Sequence, residues 1–353
     1  FLTRFKQRKF SAVVMPDFFL DRLICYKEDF EQFSKAVLDI ASRKGGSIDK
    51  IGQLEMRGGN AANTAAALAT LGAKVYPLIR TSPLGLNLLK FYLQPYNLDL
   101  SHVKSDGETS ITTALEFFYR GEKVNVMIRD LGSLTNFGPA SLSSHDYQIL
   151  AQADYVCIFN WAGTRKYGTE LAQTVFRHVK NSGKAKTYYD TADPLPNRDE
   201  IPSLMKKVLQ TDLVDILSLN ENEAIIYASQ LEPKKLSALK KQHKKLDRLA
   251  MESAKILLSH LSARIDIHTT TFSATLAKNK KLATIPTLKV PVRRVTGAGD
   301  SWNAANIYSD ANNFPDELRL AFNNTFAAYY INSQKAEHPT LNKLTKFIQK
   351  QCT

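Results

Sequence analysis

Cysteine is scarce in this sequence of 353 residues, which contains only Cys25, Cys157 and Cys352. The three lie far apart and form no Cys-x-x-Cys pair, which argues against a structural zinc site and a disulfide framework. Free thiols in a long chain are typical of a reducing compartment, so we expect a cytoplasmic protein. No run approaches the ~18 consecutive apolar residues of a membrane span. The basic start is not followed by the apolar region of a signal peptide, and we expect no membrane association.

Acidic residues are fewer than basic ones: the sequence has 34 aspartates and glutamates against 47 lysines and arginines, so the formal net charge is +13. Such a surface can bind nucleic acid or attract small anionic substrates. Much of the excess falls within residues 234–255, where four leucines mark one helical face and the basic residues lie largely elsewhere: Leu236, Leu239, Leu246, Leu249, Lys240, Lys241, Lys244, Lys245 and Arg248. No aromatic residues are interleaved with these charges. We therefore expect a solvated helix and no nucleic-acid partner, with nucleic-acid binding as the alternative.

Short apolar runs alternate with helical patterns along most of the chain. The runs are continuous rather than alternating, which is typical of strands covered on both faces: Ser11–Met15, 154–159, Lys186–Asp190, 213–219 and 264–269. The helical segments are 60–72, 170–182, 202–210, 221–229, 234–262, 300–310 and 316–333. This alternation predicts an α/β fold, in which a mostly parallel sheet lies between two layers of helices. Ligands bind such sheets at the carboxyl ends of the strands.

Two segments break this alternation and read as paired strands, around 48–57 and 109–129. In the second, Val124, Val126 and Ile128 alternate with polar residues after a turn at Arg120-Gly121. The pattern indicates a half-exposed hairpin, which we interpret as a lid. We therefore predict an α/β core over 10–47, 64–108 and 130–353, and a β-strand lid over 48–63 and 109–129.

The strongest local motif is Gly297-Ala298-Gly299-Asp300, directly before a helical pattern. Small residues at a helix start allow backbone N–H groups to converge on an anion. An acidic residue there would repel a phosphate, but it is suited to accept a proton from an attacking hydroxyl. The alternative is a glycine-rich turn with Asp300 as the helix cap.

A second motif, Arg57-Gly58-Gly59-Asn60, continues through Asn63 into an alanine-rich helix. Two glycines allow a ligand to approach the backbone closely. Asn60 and Asn63 are three positions apart, lie near one face of the first turn and can hydrogen-bond hydroxyl groups. The alternative is a capped, buried helix.

Acidic residues follow two further strands. Asp17 and Asp21 come after the first strand, where a carboxylate can accept hydrogen bonds from two sugar hydroxyls. Asn220 and Glu223, in Asn-Glu-Asn-Glu, follow a later strand and could hold a hydrated Mg²⁺. Helix capping is the alternative in both places.

From Val13 to about Ile331, the order of these motifs resembles the ribokinase-like (PfkB) family of carbohydrate and nucleoside kinases: Asp21, GGNAANTAAALATLG, a β lid, NENE and GAGD. The resemblance implies a ribokinase-like three-layer α/β/α sandwich and phosphoryl transfer from ATP with Mg²⁺. It makes Asp300 the catalytic base and Gly297, Ala298 and Gly299 the anion hole.

The same resemblance assigns binding residues. Asp21, Gly58, Gly59, Asn60 and Asn63 would hold the acceptor, and Asn160 and Arg165 are further candidates to recognise it. The nucleotide side would comprise Asp190, Asn220, Glu223, Thr269 and Asn324, with Glu223 acting on the metal through water. A lid of this kind also favours a homodimer, because hairpins with exposed edges often pair between subunits.

The chain departs from the family's usual pattern near both phosphate-binding turns. Arg294 and Val295 stand where the family usually has Asp-Thr, and Thr271 and Ala274 replace a usual Gly-x-x-Gly. ATP and another donor therefore remain open, as do a sugar, a sugar acid or a nucleoside as acceptor. A non-catalytic sugar- or nucleotide-binding protein of the same fold is the alternative from another class.

Overall fold

The computed structural model describes residues 7–94, 96, 98–243 and 245–351; Lys244 and Cys352 lie outside them. The strands are β1 (Ser11–Met15), β2 (Phe19–Asp29), β3 (Gly52–Gly58), β4 (Lys74–Pro77), β5 (Ser110–Tyr119), β6 (Glu122–Asp130), β7 (Tyr155–Phe159), β8 (Lys186–Asp190), β9 (Ile216–Leu219), β10 (Arg264–His268), β11 (Phe272–Leu276) and β12 (Ala283–Pro286).

The α-helices are α1 (Phe30–Ser42), α2 (Asn60–Thr70), α3 (Pro83–Leu93), α4 (Ser144–Gln152), α5 (Gly168–Ser182), α6 (Ile201–Leu204), α7 (Glu221–Leu231), α8 (Pro233–Gln242), α9 (Leu246–His260), α10 (Ala298–Ala311), α11 (Asp316–Asn332) and α12 (Leu341–Gln351). A π-helical turn (Met205–Leu209) continues α6, and short 3-10 helices span Gly132–Asn136, Pro139–Ser141 and Leu195–Glu200.

The main sheet has eight strands in the order β12-β11-β10-β9-β8-β7-β1-β4. The six strands from β10 to β4 are parallel, and β11 and β12 add antiparallel pairs at one edge. The central strands are buried along nearly their whole length, as their continuous apolar runs predict.

Helices cover both faces of this sheet. One apolar core joins it to α4–α9, and a second core joins it to α2, α10, α11 and α12. The predicted three-layer α/β/α sandwich with a mostly parallel sheet is therefore confirmed. Parallel strands end at the same edge, so the turns after β1, β7, β8 and β10 lie side by side.

A second, four-stranded sheet has the order β3-β2-β5-β6 and is called here the lid sheet. Three of its strands, β3, β5 and β6, come from the predicted lid segments 48–63 and 109–129, whereas residues 60–63 begin helix α2. The sheet also takes in β2, which lies within the segment 10–47 predicted as core. Residues 19–25 pair with both β3 and β5, so this segment is a long strand rather than a loop after β1. Helix α1 follows it, and Phe33 stacks on Phe117 of β5.

The predicted long helix over 234–262 is two helices, since α8 ends at Gln242 and α9 begins at Leu246. Leu236 and Leu249 are buried, as their place on the apolar face predicts, but Leu246 at the start of α9 is exposed. Among the described residues, no helix combines the length and the apolar character needed to cross a bilayer.

Candidate active site

The two glycine-rich motifs meet at one point. Gly59 lies directly before α2 and Gly297 directly before α10, and both residues have positive φ angles, 94° and 86°. A Cβ atom at Gly59 would lie 2.9 Å from the Asp17 carbonyl oxygen, and one at Gly297 would lie 2.4 Å from the Tyr330 hydroxyl. Glycine is therefore required at both turns, on conformational and steric grounds. The turns bring the N-termini of the two helices together.

Asp300 lies at this meeting point, in the first turn of α10, and is 6% exposed. Each of its carboxylate oxygens accepts one side-chain hydrogen bond, from Nδ2 of Asn60 to Oδ1 at 2.8 Å and from Nδ2 of Asn63 to Oδ2 at 2.9 Å. The structure thus brings together three residues that the sequence analysis singled out in two distant motifs.

Burial raises the pKa of Asp300 to about 8. That value already includes the neighbouring carboxylates of Asp17 and Asp190, which also raise the pKa, and the hydrogen bonds from Asn63 and Asn60, which lower it. A carboxyl group whose pKa lies near neutral pH can both accept and release a proton under physiological conditions. Asp300 therefore has the position and the proton affinity that a general base needs.

Asp17 is also buried, and its carboxylate caps helix α2 from outside. It accepts hydrogen bonds from the backbone N–H groups of Asn60 (2.9 Å) and Ala61 (2.8 Å) and from Nδ2 of Asn160 (2.9 Å). Of the two possibilities raised for Asp17, the geometry matches the helix cap. Burial raises its pKa, although the three hydrogen bonds oppose the increase.

Asp21 lies on β2, opposite Met56 of β3, and its carboxylate packs against the Cα of Gly58. A Cβ at Gly58 would lie 2.1 Å from Oδ2 of Asp21, so only glycine leaves room for this carboxylate. Burial raises the pKa of Asp21 to about 6, against a hydrogen bond from Thr112 and the charge of Arg129. Asp21 therefore lies on the lid sheet beside the Gly58–Gly59 turn that precedes α2, and its contact with an acceptor stays a prediction.

The backbone at the start of α10 offers N–H groups, although not the three expected. The N–H of Ala298 donates to the Val295 carbonyl at 3.1 Å. Within the part of the chain that the structure describes, the N–H groups of Gly297, Gly299 and Asp300 have no hydrogen-bond partner. The local turn thus uses the Ala298 donor and leaves the Asp300 donor available, and an anion hole at this turn stays a prediction.

Asn160 and Arg165 follow β7. Asn160 has a φ of 51°, which asparagine tolerates better than most residues. Its amide donates to Asp17 and accepts from the Gly163 N–H at 3.1 Å, so it joins the ends of two strands. The Arg165 guanidinium donates to the Pro196 carbonyl. Both side chains have protein partners, and acceptor recognition by either one stays a prediction.

Asp190 ends β8 and faces the same edge. Its Oδ2 accepts a hydrogen bond of 2.6 Å from Nδ2 of Asn303 on α10, and its Oδ1 accepts one from the Ala192 N–H. The imidazole Nε2 of His268, at the end of β10, lies 3.9 Å from the same Oδ2. Asp190 therefore links the middle of α10 to the strand ends on the predicted nucleotide side.

Asn220 and Glu223 form a reciprocal cap at the start of α7. Oδ1 of Asn220 accepts from the N–H of Glu223 at 3.0 Å, and Oε2 of Glu223 accepts from the N–H of Asn220 at 2.9 Å. Glu223 is buried, and burial together with the charge of Asp190 raises its pKa well above the ordinary value. A cation placed nearby would favour the ionised form of this buried glutamate. Among the described residues, however, no group of three or more His, Cys, Asp or Glu side chains is placed to hold a metal ion.

Thr269 and Asn324 make local contacts. The Thr269 hydroxyl caps a tight turn by accepting from the Phe272 N–H at 3.0 Å. Asn324 on α11 accepts from the indole of Trp302 at 3.0 Å and donates to the Pro286 carbonyl at 3.1 Å. Their predicted contacts with a nucleotide stay predictions.

Sequence reasoning missed three residues of this site. Arg57, before the two glycines, donates from Nε to Oδ1 of Asn63 at 3.1 Å. His268 packs at a tilt against Trp302, with ring centroids 5.0 Å apart, and its buried Nε2 has no hydrogen-bond partner among the described residues. Asn303 holds Asp190. Arg57 could have been found from its place beside the Gly-Gly pair and His268 from its place at a strand end, but nothing in the sequence pairs Asn303 with Asp190.

A family model described as "pfkB family carbohydrate kinase" matches residues 37–343 of this chain. The comparison with curated proteins gave no match. Among solved structures, the chain is similar to a ribokinase from Arabidopsis thaliana complexed with ribose and ATP. That match has 17% identity and a TM-score of 0.72, and it covers 97% of this chain and 99% of the other.

Two further solved structures show the same architecture. An adenosine kinase from Sinorhizobium meliloti has 15% identity and a TM-score of 0.69 over 98% of this chain and 100% of its own. A fructokinase from Xylella fastidiosa with bound ATP has 16% identity and a TM-score of 0.69 over 97% of this chain and 99% of its own. At these identities the similarity shows a shared fold.

Proposed function

The chain belongs to the pfkB family of carbohydrate kinases, and from that premise we propose that it is an ATP-dependent phosphotransferase that phosphorylates a hydroxyl group of a small sugar or related polyol. One observation carries the proposal. Asp300 is buried between the starts of α2 and α10, with both carboxylate oxygens held by side-chain amides and with unpaired backbone N–H groups beside it.

In the proposed reaction, Asp300 accepts the proton of the acceptor hydroxyl as that oxygen attacks the γ-phosphorus of ATP. A bond forms between the acceptor oxygen and phosphorus, the bond to the β-γ bridging oxygen breaks, and ADP leaves. Asn60 and Asn63 hold the carboxylate in one orientation throughout. The carboxylate must be ionised to accept the proton, so burial, which raises its pKa to about 8, makes it a stronger base.

The backbone N–H groups of Gly297, Gly299 and Asp300 would stabilise negative charge on the transferred phosphoryl group. They lie at the N-terminus of a helix of 14 residues, where the helix dipole adds partial positive charge. Such fixed donors need no rearrangement as charge develops.

We propose that the nucleotide lies along the ends of β8, β9 and β10, near Asp190, Asn220, Thr269 and Asn324. Glu223 would hold Mg²⁺ through water, because Mg²⁺ keeps several waters and takes few protein ligands in nucleotide sites. Bound Mg²⁺ would supply charge neutralisation on the phosphates. Burial and the charge of Asp190 raise the pKa of Glu223, and a bound cation would favour its ionised form.

The acceptor would lie between the lid sheet and the starts of the two helices. Asp21 would accept hydrogen bonds from its hydroxyls, and the Gly58–Gly59 backbone allows it to approach closely. Closure of the lid sheet would exclude water and so limit hydrolysis of ATP. A nucleoside is the alternative acceptor within this class.

The proposal is tested by ADP release from ATP and Mg²⁺ in the presence of single acceptors: pentoses, hexoses, sugar acids and nucleosides, with ADP as an alternative donor. We expect ADP release that depends on one class of acceptor. Binding of nucleotide or sugar without any turnover across the panel would instead support a non-catalytic binding protein.

We also propose a cytoplasmic homodimer that pairs through the lid sheet. Strand β6 is an edge strand, and Val126, Met127 and Ile128 on it are exposed. Light scattering of the wild type and of Ile128→Lys would test this, since a dimer through β6 should become a monomer. The proposal includes no nucleic-acid partner. DNA or RNA binding that weakens steeply with salt would contradict that part.

A further inference from the structure

Arg57 occupies an unusual position for an arginine. It is the penultimate residue of strand β3, directly before Gly58, and its side chain is half-buried. Its Nε donates a hydrogen bond of 3.1 Å to Oδ1 of Asn63. Nδ2 of the same asparagine donates to Oδ2 of Asp300 at 2.9 Å. Arg57, Asn63 and Asp300 therefore form a linear chain of hydrogen bonds.

We propose that Arg57 is a positioning residue for the base: it fixes the orientation of the Asn63 amide and thereby favours the ionised form of Asp300. This inference rests on the proposed function, in which Asp300 accepts the proton of the acceptor. Arg57 acts through Asn63 and has no hydrogen bond with Asp300.

The chemistry of the two neighbours of Asn63 carries the argument. A guanidinium group has only N–H donors, and an ionised carboxylate has only acceptors. The Asn63 amide lies between them, so its oxygen must face Arg57 and its nitrogen must face Asp300. In this orientation both oxygens of Asp300 receive an N–H donor, because Asn60 serves the other one.

The reverse orientation of the Asn63 amide shows how Arg57 affects the protonation of Asp300. If the amide rotated by 180°, its oxygen would face Asp300 and could accept a hydrogen bond only from a protonated carboxyl group. Its nitrogen would then face the guanidinium, donor against donor. Arg57 makes that state unfavourable and so removes an arrangement that would stabilise protonated Asp300. Without Arg57, the protonated form gains this partner and the pKa of Asp300 should rise.

Other charged groups near Asp300 also affect its pKa. Asp17 at the end of β1 and Asp190 at the end of β8 raise the pKa of Asp300. Burial lowers the pKa of Arg57, and the attraction between its charge and Asp300 opposes that decrease. Tyr330 on α11 interacts with both Arg57 and Arg294. None of these groups can replace the hydrogen bond from Nε of Arg57 to the oxygen of Asn63.

The test measures the pKa of Asp300 directly, by carbon-13 NMR of protein labelled at the aspartate carboxyl groups, with Asp300→Asn used to assign the signal. We expect Arg57→Met to raise this pKa by about one unit, the value of one hydrogen bond to a charged group. Arg57→Lys keeps a donor and should stay close to wild type. Arg22→Met removes another arginine of the lid sheet, which pairs with Glu55, and should leave the signal unchanged.

A double-mutant cycle separates positioning from simple charge repulsion. In an Asn63→Leu background, the amide that transmits the effect is absent and only the attraction between the charges of Arg57 and Asp300 remains. Adding Arg57→Met should then raise the pKa of Asp300 by clearly less than it does in the wild type. If the full shift persisted in that background, Arg57 would act through its charge alone, and the inference would be wrong. An unchanged pKa in Arg57→Met would overturn it as well.

Arg57→Gln is the second variant if Arg57→Met does not fold. Its amide can present either an oxygen or a nitrogen to Asn63, so it permits the rotation and should raise the pKa in the same direction. A wild-type pKa in this variant would equally overturn the inference.

The NMR titration does not require turnover. If the wild type had no kinase activity, that result would count against the proposed function, but the pKa of Asp300 could still be measured and compared between variants. With turnover, the acid limb of kcat against pH should move upwards in Arg57→Met and not in Arg57→Lys.

Discussion

Asn60 and Asp300 lie 240 positions apart in the chain, yet Nδ2 of Asn60 donates to Oδ1 of Asp300 at 2.8 Å. The backbone N–H of the same Asn60 donates to Asp17, so one residue connects the end of β1, the start of α2 and the start of α10. Because both helices begin here, the partial positive charges of both N-termini act on Asp300 and favour its ionised form. The two glycine-rich motifs therefore form one site.

Replacing Asp300 by Asn should abolish most turnover. The substitution keeps the size of the side chain but removes the proton acceptor, so we expect kcat to fall by about 100- to 10,000-fold. Nucleotide affinity should change little, because Asp300 lies on the acceptor side. Steady-state kinetics and calorimetry with ATP and Mg²⁺ measure the two effects separately.

A matched control for this variant is Asp106→Asn, which removes an exposed carboxylate paired with Arg80, outside the site. Its kcat should stay within about twofold of wild type, in line with the small effects of most surface substitutions. Near-normal turnover in Asp300→Asn would refute the assignment of the base.

The pH dependence of kcat/KM should show an acid limb near pH 8. This ratio reports the ionisation of the free enzyme, and the pKa of Asp300 is raised to about 8 by burial. Since the ionised form is the base, kcat/KM should rise about tenfold per pH unit below that value and level off above it. Rates measured across this range with a single acceptor check it, and a flat profile from about pH 6 to about pH 9 would contradict it.

Much of this architecture can be predicted from local sequence. Ser11–Met15 and Lys186–Asp190 were located by their continuous apolar runs, and each strand indeed ends beside the site. The glycine-rich turns could be recognised because few residues besides glycine tolerate a positive φ angle. Family resemblance then supplied the order of the motifs and the expectation that they meet.

What the sequence could not supply depends on tertiary contacts. Strand β2 was missed because its residues are half-exposed and its pairing partners lie in distant segments. The hydrogen bond from Ala298 to Val295 depends on the local turn and removes one predicted donor. The hydrogen bond from Arg57 to Asn63 joins the end of β3 to the first turn of α2, and residue spacing alone does not predict it.

Gly58→Ala should impair acceptor binding. A methyl group at this position would lie 2.1 Å from Oδ2 of Asp21, so the carboxylate must move away from the acceptor. Displacing one hydrogen-bonded carboxylate should raise KM for the acceptor about tenfold or more. Gly52→Ala, at the other end of β3, is the control, because no atom lies within 4 Å of its new methyl group. Equal KM values for the two variants would show that Asp21 does not contact the acceptor.

Asp300→Asn should also have a higher free energy of unfolding than the wild type, by a difference that grows as the pH rises. In the unfolded chain an aspartate ionises near pH 4, whereas burial raises the pKa of Asp300 in the folded state to about 8. Between these values the folded state binds one proton more than the unfolded state, so the wild type loses free energy of unfolding as the pH increases. The loss is absent at pH values below both pKa values and complete above both. One pKa unit corresponds to about 1.4 kcal/mol, and we expect the Asn variant to be more stable by at least about that amount at pH 8.

Urea unfolding of both proteins at several pH values measures this difference, and subtracting one curve from the other cancels the contribution of groups that titrate alike in both. The advantage of Asp300→Asn should shrink steadily towards pH 4, because the wild-type carboxyl group is then protonated in the folded and unfolded states. A difference independent of pH would mean that Asp300 ionises in the folded protein as it does in water. In that case burial would not raise its proton affinity, and the carboxylate would be too weak a base for the role assigned to it.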